Sequence, residues 1–273
     1  MDKPQAYHPS LSHKDVTFAI SKLGVSKANT KIWQLLLLGI LAGLYIGFGG
    51  QLFLVTVAAG LGKILGGALF SVGLVLVIIA GAELFTGNVT ILIGVFSGMI
   101  PKRRMLRNWL TVYIGNFIGS VAFAVLMGQT GLFGRAGEPN SLGELAVKIA
   151  HAKLAIPFTE AFVRGIFCNM LVILAIIMAI MAKDIVSKIF AIILPITCFV
   201  ACGFEHCVAN MYLITVGMLV DGTALHQTYP MFENILPVTL GNIVGGVAIL
   251  IIHPNRISQI GLLLKRKKAQ ASK

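Results

Sequence analysis

Glu83-Leu-Phe-Thr-Gly-Asn88 and Gly203-Phe-Glu-His-Cys-Val-Ala-Asn210 decide the fold, because each is a polar, helix-weakening break inside an over-long apolar run. The runs, 64–100 and 185–220, hold 37 and 36 residues. As helix, each would measure ~55 Å, against a hydrocarbon layer of ~30 Å. Each is therefore too long for one span and too short for two with a loop between them. Two broken helices satisfy both limits.

Working outward, four ordinary apolar blocks remain, at about 33–58, 108–128, 156–182 and 235–252. The breaks match each other: Glu83 precedes Asn88 by five residues, and Glu205 precedes Asn210 by five. Further along, Gly115-Asn-Phe-Ile-Gly-Ser-Val-Ala122 parallels Gly241-Asn-Ile-Val-Gly-Gly-Val-Ala248. The offsets, 122 and 126 residues, read as duplication of a three-helix unit, with repeats at about 31–128 and 156–254. Gly115/Gly119 and Gly241/Gly245 are small-xxx-small pairs that let helices approach closely. The expectation is an all-α membrane protein of six transmembrane helices, the second and fifth broken.

Composition agrees. The chain has 273 residues, 57% hydrophobic and 12% charged, with a mean hydropathy of +0.89. A soluble domain carries roughly twice that charged fraction. The excess of 22 basic over 10 acidic residues would suggest nucleic acid on a soluble chain; here it lies in the segments between apolar runs, so no nucleic-acid partner is expected. With the N-terminus inside, 17 basic residues fall on the cytoplasmic side, 4 (Lys63, Arg135, Lys148, Lys153) outside, and Arg164 inside a span. That bias places both ends in the cytoplasm. An odd-numbered repeat then makes the second copy inverted, a design that puts the substrate path at the breaks.

Residues 1–30 are mixed and lack the early apolar core of a cleaved signal. Val16, Ile20 and Leu23 have helical spacing, so this cytoplasmic segment is either an amphipathic surface helix or disordered. Residues 255–273 read as a basic cytoplasmic tail. Cys168, Cys198, Cys202 and Cys207 all fall in apolar runs and read as small core residues. A metal centre from Cys198, Cys202, His206 and Cys207 is the alternative, but no acidic ligand set accompanies it. Neither metal nor cofactor is expected.

Irregular backbone at membrane depth must face protein or a water-filled path. Leu84-Phe85-Thr86-Gly87 and Phe204-Glu205-His206 should therefore meet along a central passage. Glu83 and Glu205 occupy equivalent positions and read as tying up freed backbone N–H groups, with Asn88 and Asn210 beside them. His206 has no counterpart, since the first break carries Leu84 there. An imidazole at one break alone reads as a substrate contact, with a hydrogen-bonded core histidine as the alternative.

Gly81-Ala-Glu-Leu-Phe-Thr86, Asn108-Trp-Leu-Thr-Val-Tyr-Ile-Gly-Asn116, Gly203-Phe-Glu-His-Cys-Val-Ala-Asn-Met211 and Ile235-Leu-Pro-Val-Thr-Leu-Gly-Asn242 resemble the signature segments of the formate/nitrite transporter family. The resemblance runs in order from about Leu11 to His253. It implies homopentamers whose protomers have an aquaporin-like outline and a pore each, set in the inner membrane among its lipids. It further implies His206 as the pore histidine and Thr86 as its partner. Phe70, Leu74, Leu84, Phe85, Val172 and Phe199 match the apolar constrictions, Asn169 and Asn242 the polar pore or loop-fixing groups, and Lys153 a basic vestibule residue.

The chemistry of these residues fits such a role. Lys148 and Lys153, with His151, would concentrate anions at an outer mouth. Apolar rings of Phe70, Phe199 and Leu84 must strip water from whatever passes, which is costly for a bare anion. A weak-acid anion escapes that cost by taking a proton and crossing neutral. Formate is the first candidate substrate; nitrite, hydrosulfide, acetate and lactate share its size and charge. Two other classes compete: an intramembrane enzyme using Glu205, His206 and Cys207, and an aquaporin, whose paired Asn-Pro-Ala signatures are absent.

Overall fold

Long apolar runs have few ways to pair their backbone groups away from water, and helix is the one that does so within a single segment. The computed structural model describes residues 13–135 and 137–252 and is almost wholly helical. The first twelve residues and the expected basic tail at 255–273 lie outside the described residues. In order come α1 (His13–Asn29), α2 (Ile32–Ala58), α3 (Gly62–Phe70) and α4 (Val72–Leu76), the last running into a π-turn at Val77–Gly81. Next are α5 (Phe85–Asn88), α6 (Ile91–Phe96) and α7 (Lys102–Gly128). A two-residue-per-strand hairpin, Gly134–Arg135 with Glu138–Pro139, precedes α8 (Ser141–Leu154). The chain continues through α9 (Phe158–Met181), α10 (Ile185–Ala201), α11 (Cys207–Val220) and α12 (Met231–Ile252).

Among the described residues, α2, Gly62–Gly81, α7, α9 and α12 are long and apolar enough to cross a membrane. The 17-residue α10 continues, after its break, into α11. Both over-long runs are thus broken. The first stops at Ala82–Leu84 and the second at Cys202–His206, where the backbone leaves the helix. The fold is an all-α membrane protein with broken second and fifth spans.

The duplicated glycines let helices close on one another. A side chain at Gly119 would run into the carbonyl of Ile40 on α2, and one at Gly245 into the carbonyl of Ile166 on α9. The α2–α7 and α9–α12 pairs are therefore equivalent, backbone against backbone. At the centre, 13 of the 14 residues of α11 are buried.

Two expectations need correction. Leu23 was grouped with Val16 and Ile20, but only the latter two are buried, and Leu23 is half exposed. The buried face of α1 instead continues to Ala28, near Ile91, Ile100 and Met105. The cysteines also divide: Cys168 and Cys207 are core residues, whereas Cys198 and Cys202 are exposed. Hydropathy does not distinguish an inward-facing from an outward-facing position on a membrane helix.

Candidate functional site

The breaks are held by two asparagines. The side chain of Asn116 on α7 donates to the carbonyls of Gly39 and Glu83, at 2.8 and 2.9 Å, and accepts from the N–H of Phe85 at 2.9 Å. Asn242 on α12 repeats this at Gly165 and Glu205, at 2.8 and 2.9 Å, and accepts from the N–H of Cys207 at 3.0 Å. The break amides of Glu83 and Glu205 donate to the carbonyls of Leu38 and Arg164. These backbone groups freed by the breaks thus find partners away from lipid. The glutamates do not perform this task, contrary to the expectation.

Their carboxylates instead anchor side chains. Glu83 accepts from Lys27 Nζ at 2.8 Å and from Asn88 Nδ2 at 2.7 Å. Asn88 also donates to Asn108, whose own amide returns to the carbonyl of Lys27. The second copy has Lys153 on both oxygens of Glu205, at 2.9 and 2.8 Å, with Asn210 donating to Glu205 and Asn234. Asn234 closes it on the carbonyl of Lys153. Lys27, Asn108, Asn116 and Asn234 were not singled out from the sequence. Each lies 126 residues from a partner in the other copy, the offset of the glycine motifs, and that signal was available.

Two vestibules of about 500 Å³ each lead toward the breaks. The first is lined by Lys63, Lys148, Lys153 and Arg164, with Phe70, Phe199, Glu205 and His206. The second is lined by Lys27 and Lys188, with Leu74, Glu83, Leu84 and Asn88. Arg164, read as lying inside a span, pairs with Glu160. Along α3 and α4, Phe70 belongs to the first vestibule and Leu74 to the second. Four residues of helical rise put the barrier between them at ~6 Å.

In the barrier, His206 Nε2 lies 2.9 Å from Thr86 Oγ1, both residues being buried. His206 Nδ1 accepts from the N–H of Ala209 at 3.1 Å. An N–H is only a donor, so Nδ1 carries no proton and the neutral ring is protonated at Nε2. The imidazole therefore donates to Thr86 and leaves the threonine hydroxyl proton available. Phe199 packs edge-on against Phe70, ring centroids 5.7 Å apart, and stacks on His206 at 6.0 Å.

Other candidates fall elsewhere. Phe85 packs against Trp109 and Tyr113 and lines neither vestibule. Val172 is buried and also lines neither. Asn169 donates to the carbonyls of Thr86 and Asn242, and its buried Oδ1 has no partner. Lys148 lines the first vestibule without a hydrogen bond or ion pair among the described residues, whereas Lys153 is held by Glu205. Glu205, His206 and Cys207 do not face one another. Glu205 engages Lys153 and His206 engages Thr86, so the base a Cys207 nucleophile would need is committed elsewhere.

The family model described as formate/nitrite transporter matches residues 14–254. The chain belongs to the formate/nitrite transporter family. A probable formate transporter of Methanothermobacter thermautotrophicus is 39% identical over 257 residues, covering 86% of this chain and 92% of that one. The formate channel FocA of Haemophilus influenzae is 36% identical, covering 81% and 85%. Among solved structures, a pentameric formate channel with formate bound superposes with a TM-score of 0.68 at 35% identity, covering 80% of this chain and 94% of that one. An ion channel of the same family gives a TM-score of 0.74 at 32% identity, covering 86% and 95%. The fold, the duplicated breaks and the family agree on a membrane-embedded transport protein for anions.

Proposed function

We propose that the chain is a homopentameric inner-membrane channel that passes small monovalent anions of weak acids, formate first, with both termini cytoplasmic. The lysine-rich vestibule at Lys153 is the outer mouth and the Lys27 vestibule the inner one. Residues 31–254 form the channel body, residues 1–30 a cytoplasmic segment and residues 255–273 a basic tail. The observation that carries this reading is the Thr86–His206 hydrogen bond, set in a barrier about one helical turn thick between two cationic vestibules. The anion gathers at the lysines, loses water at Phe70, Phe199, Leu74 and Leu84, and meets the Thr86 hydroxyl as donor. Taking a proton from the water of the vestibule as it reaches this contact lets it cross as the neutral acid, which gives the proton back on the far side, and avoids the cost of an unpaired buried charge.

The test is His206→Phe in proteoliposomes, with formate, nitrite, hydrosulfide, acetate and lactate compared. Flux should fall steeply or change its pH dependence while the assembly and its thermal stability persist. A phenyl ring neither donates a hydrogen bond nor shares a proton. Unchanged rates and pH profile for all five anions would refute the proposal. Native mass spectrometry should show five chains; a stable monomer or trimer would remove the pentamer.

A further inference from the structure

The pore does not use the exposed pair on α10. Cys198, in the last turn of α10, and Cys202, its C-cap, stand four residues apart and both are exposed; the N–H of Cys202 donates to the carbonyl of Cys198 at 3.0 Å, so helical spacing holds between them. Between them Phe199 faces the other way, into the first vestibule, against Phe70 and His206. The final turn of α10 thus carries a dithiol on its outer side and a barrier residue on its inner side.

The spacing decides what such a dithiol can bind. On a helix, Cβ atoms four residues apart are ~5–6 Å from each other. A disulfide needs about 3.5–4.5 Å between Cβ atoms and an S–S bond of about 2.05 Å. Direct oxidation would therefore distort the turn. One thiophilic atom inserted between the sulfurs relaxes that demand. Two bonds of about 2.3 Å, the length of a zinc–thiolate bond, hold sulfurs nearly 4 Å apart, a span that side chains one helical turn apart can meet. We propose that Cys198 and Cys202 form a capture site for trivalent arsenicals, and that its occupation stiffens the turn carrying Phe199 and lowers flux. With an arsenoxide, two As–S bonds form, and the arsenic-bound oxygen leaves as water with both thiol protons. Arsenic stays trivalent, so no oxidant is required.

The experiment treats the purified full chain with phenylarsine oxide, washes it with excess mercaptoethanol and measures intact mass. The expected result is one adduct per chain, equal to the reagent less one water. It should survive the monothiol, be released by 2,3-dimercaptopropanol, and be lost in both C198S and C202S. Loss to mercaptoethanol would mean a single thiol and overturn the site. So would an adduct retained in the doubly substituted chain, which would put it on buried Cys168 and Cys207. The second arm measures formate flux in proteoliposomes and rests on the proposed function; the mass arm does not. Wild-type flux should fall with the adduct and recover with the dithiol, while C198S should keep basal flux and resist the reagent. Unchanged flux at full modification would overturn the link through Phe199.

Discussion

The first break and the second are held by the same hydrogen bonds at nearly the same lengths, yet they present different chemistry to the passage. Asn116 and Asn242 clamp the same three kinds of backbone group, with no pair differing by more than 0.1 Å. Glu83 and Glu205 each hold a lysine and an asparagine. Between the matched glutamate and asparagine every pair differs: Leu84 against His206, Phe85 against Cys207, Thr86 against Val208 and Gly87 against Ala209. The duplicated scaffold thus fixes two irregular segments inside an apolar body, leaving the positions between its anchors free to diverge. The polar contact at the barrier takes one member from each copy, Thr86 from the first and His206 from the second.

The strongest way to break this equivalence is to remove the clamps. Asn116→Ala and Asn242→Ala each orphan two buried break groups, one carbonyl and one N–H, at about 1–3 kcal/mol apiece, and remove a further bond to a helical carbonyl. Both variants should lose several kcal/mol of stability, and by similar amounts, seen as matched drops in thermal unfolding in detergent. A large loss for one and a small loss for the other would mean that a single break carries the fold.

A smaller effect is expected from the cations. The lysine side chains are 26% exposed at Lys27 and 15% at Lys153, and the Glu205 side chain only 6%. Lys27→Met and Lys153→Met each leave a largely buried carboxylate unpaired, which costs up to ~3–5 kcal/mol at full burial and less here. Lys153→Met should be the worse of the two. Changing the partner as well, Glu83→Gln or Glu205→Gln, should restore much of the loss in the same unfolding assay. Failure of that rescue would show that the lysines act apart from their glutamates.

These networks also show what the sequence could convey. The broken helices were legible because 37 apolar residues do not fit one span, a limit that needs no tertiary information. Inversion was expected from the odd number of spans in each repeat. The glutamates' partners were not, because Lys27 and Glu83 are 56 residues apart and Lys27 looks like any cytoplasmic lysine. Its match with Lys153 shows that the duplicated unit starts earlier than residue 31. Helix α1 corresponds to α8, each supplying one cation, so each copy carries a further helix ahead of its three spans, and neither of these helices is among those long and apolar enough to cross a membrane. The meeting of Thr86 with His206 came from family resemblance. Burial alone did not choose between a pore histidine and a core one, and the structure adds the hydrogen bond to Thr86.

The divergent positions call for a flux measurement. Thr86→Val removes one hydroxyl and keeps the shape, making the first break resemble the second, which carries Val208. One hydrogen bond is worth about 0.5–1.5 kcal/mol net, so flux should fall roughly tenfold or less, and by less than in His206→Phe. A Thr86→Val defect equal to that of His206→Phe would make the hydroxyl, rather than the imidazole, the essential group.

The smallest effect is expected at Lys148, and it distinguishes two kinds of lysine in one vestibule. Lys153 is engaged by Glu205, so its positive charge is largely neutralised before any substrate arrives. Lys148 is exposed and makes no ion pair or hydrogen bond with any of the described residues, so its field extends into the mouth. Such a field reaches about 10 Å at 0.1 M ionic strength and about 3 Å at 1 M. Lys148→Ser should therefore lower formate flux about two- to threefold in dilute buffer, with the deficit closing as an inert salt is added. Lys153→Ser should show a loss that salt does not relieve, because it loosens Glu205 and the second break. The two salt titrations, run side by side, measure this directly. Parallel curves would mean that both lysines serve the same purpose and that the Glu205 pair is not structural.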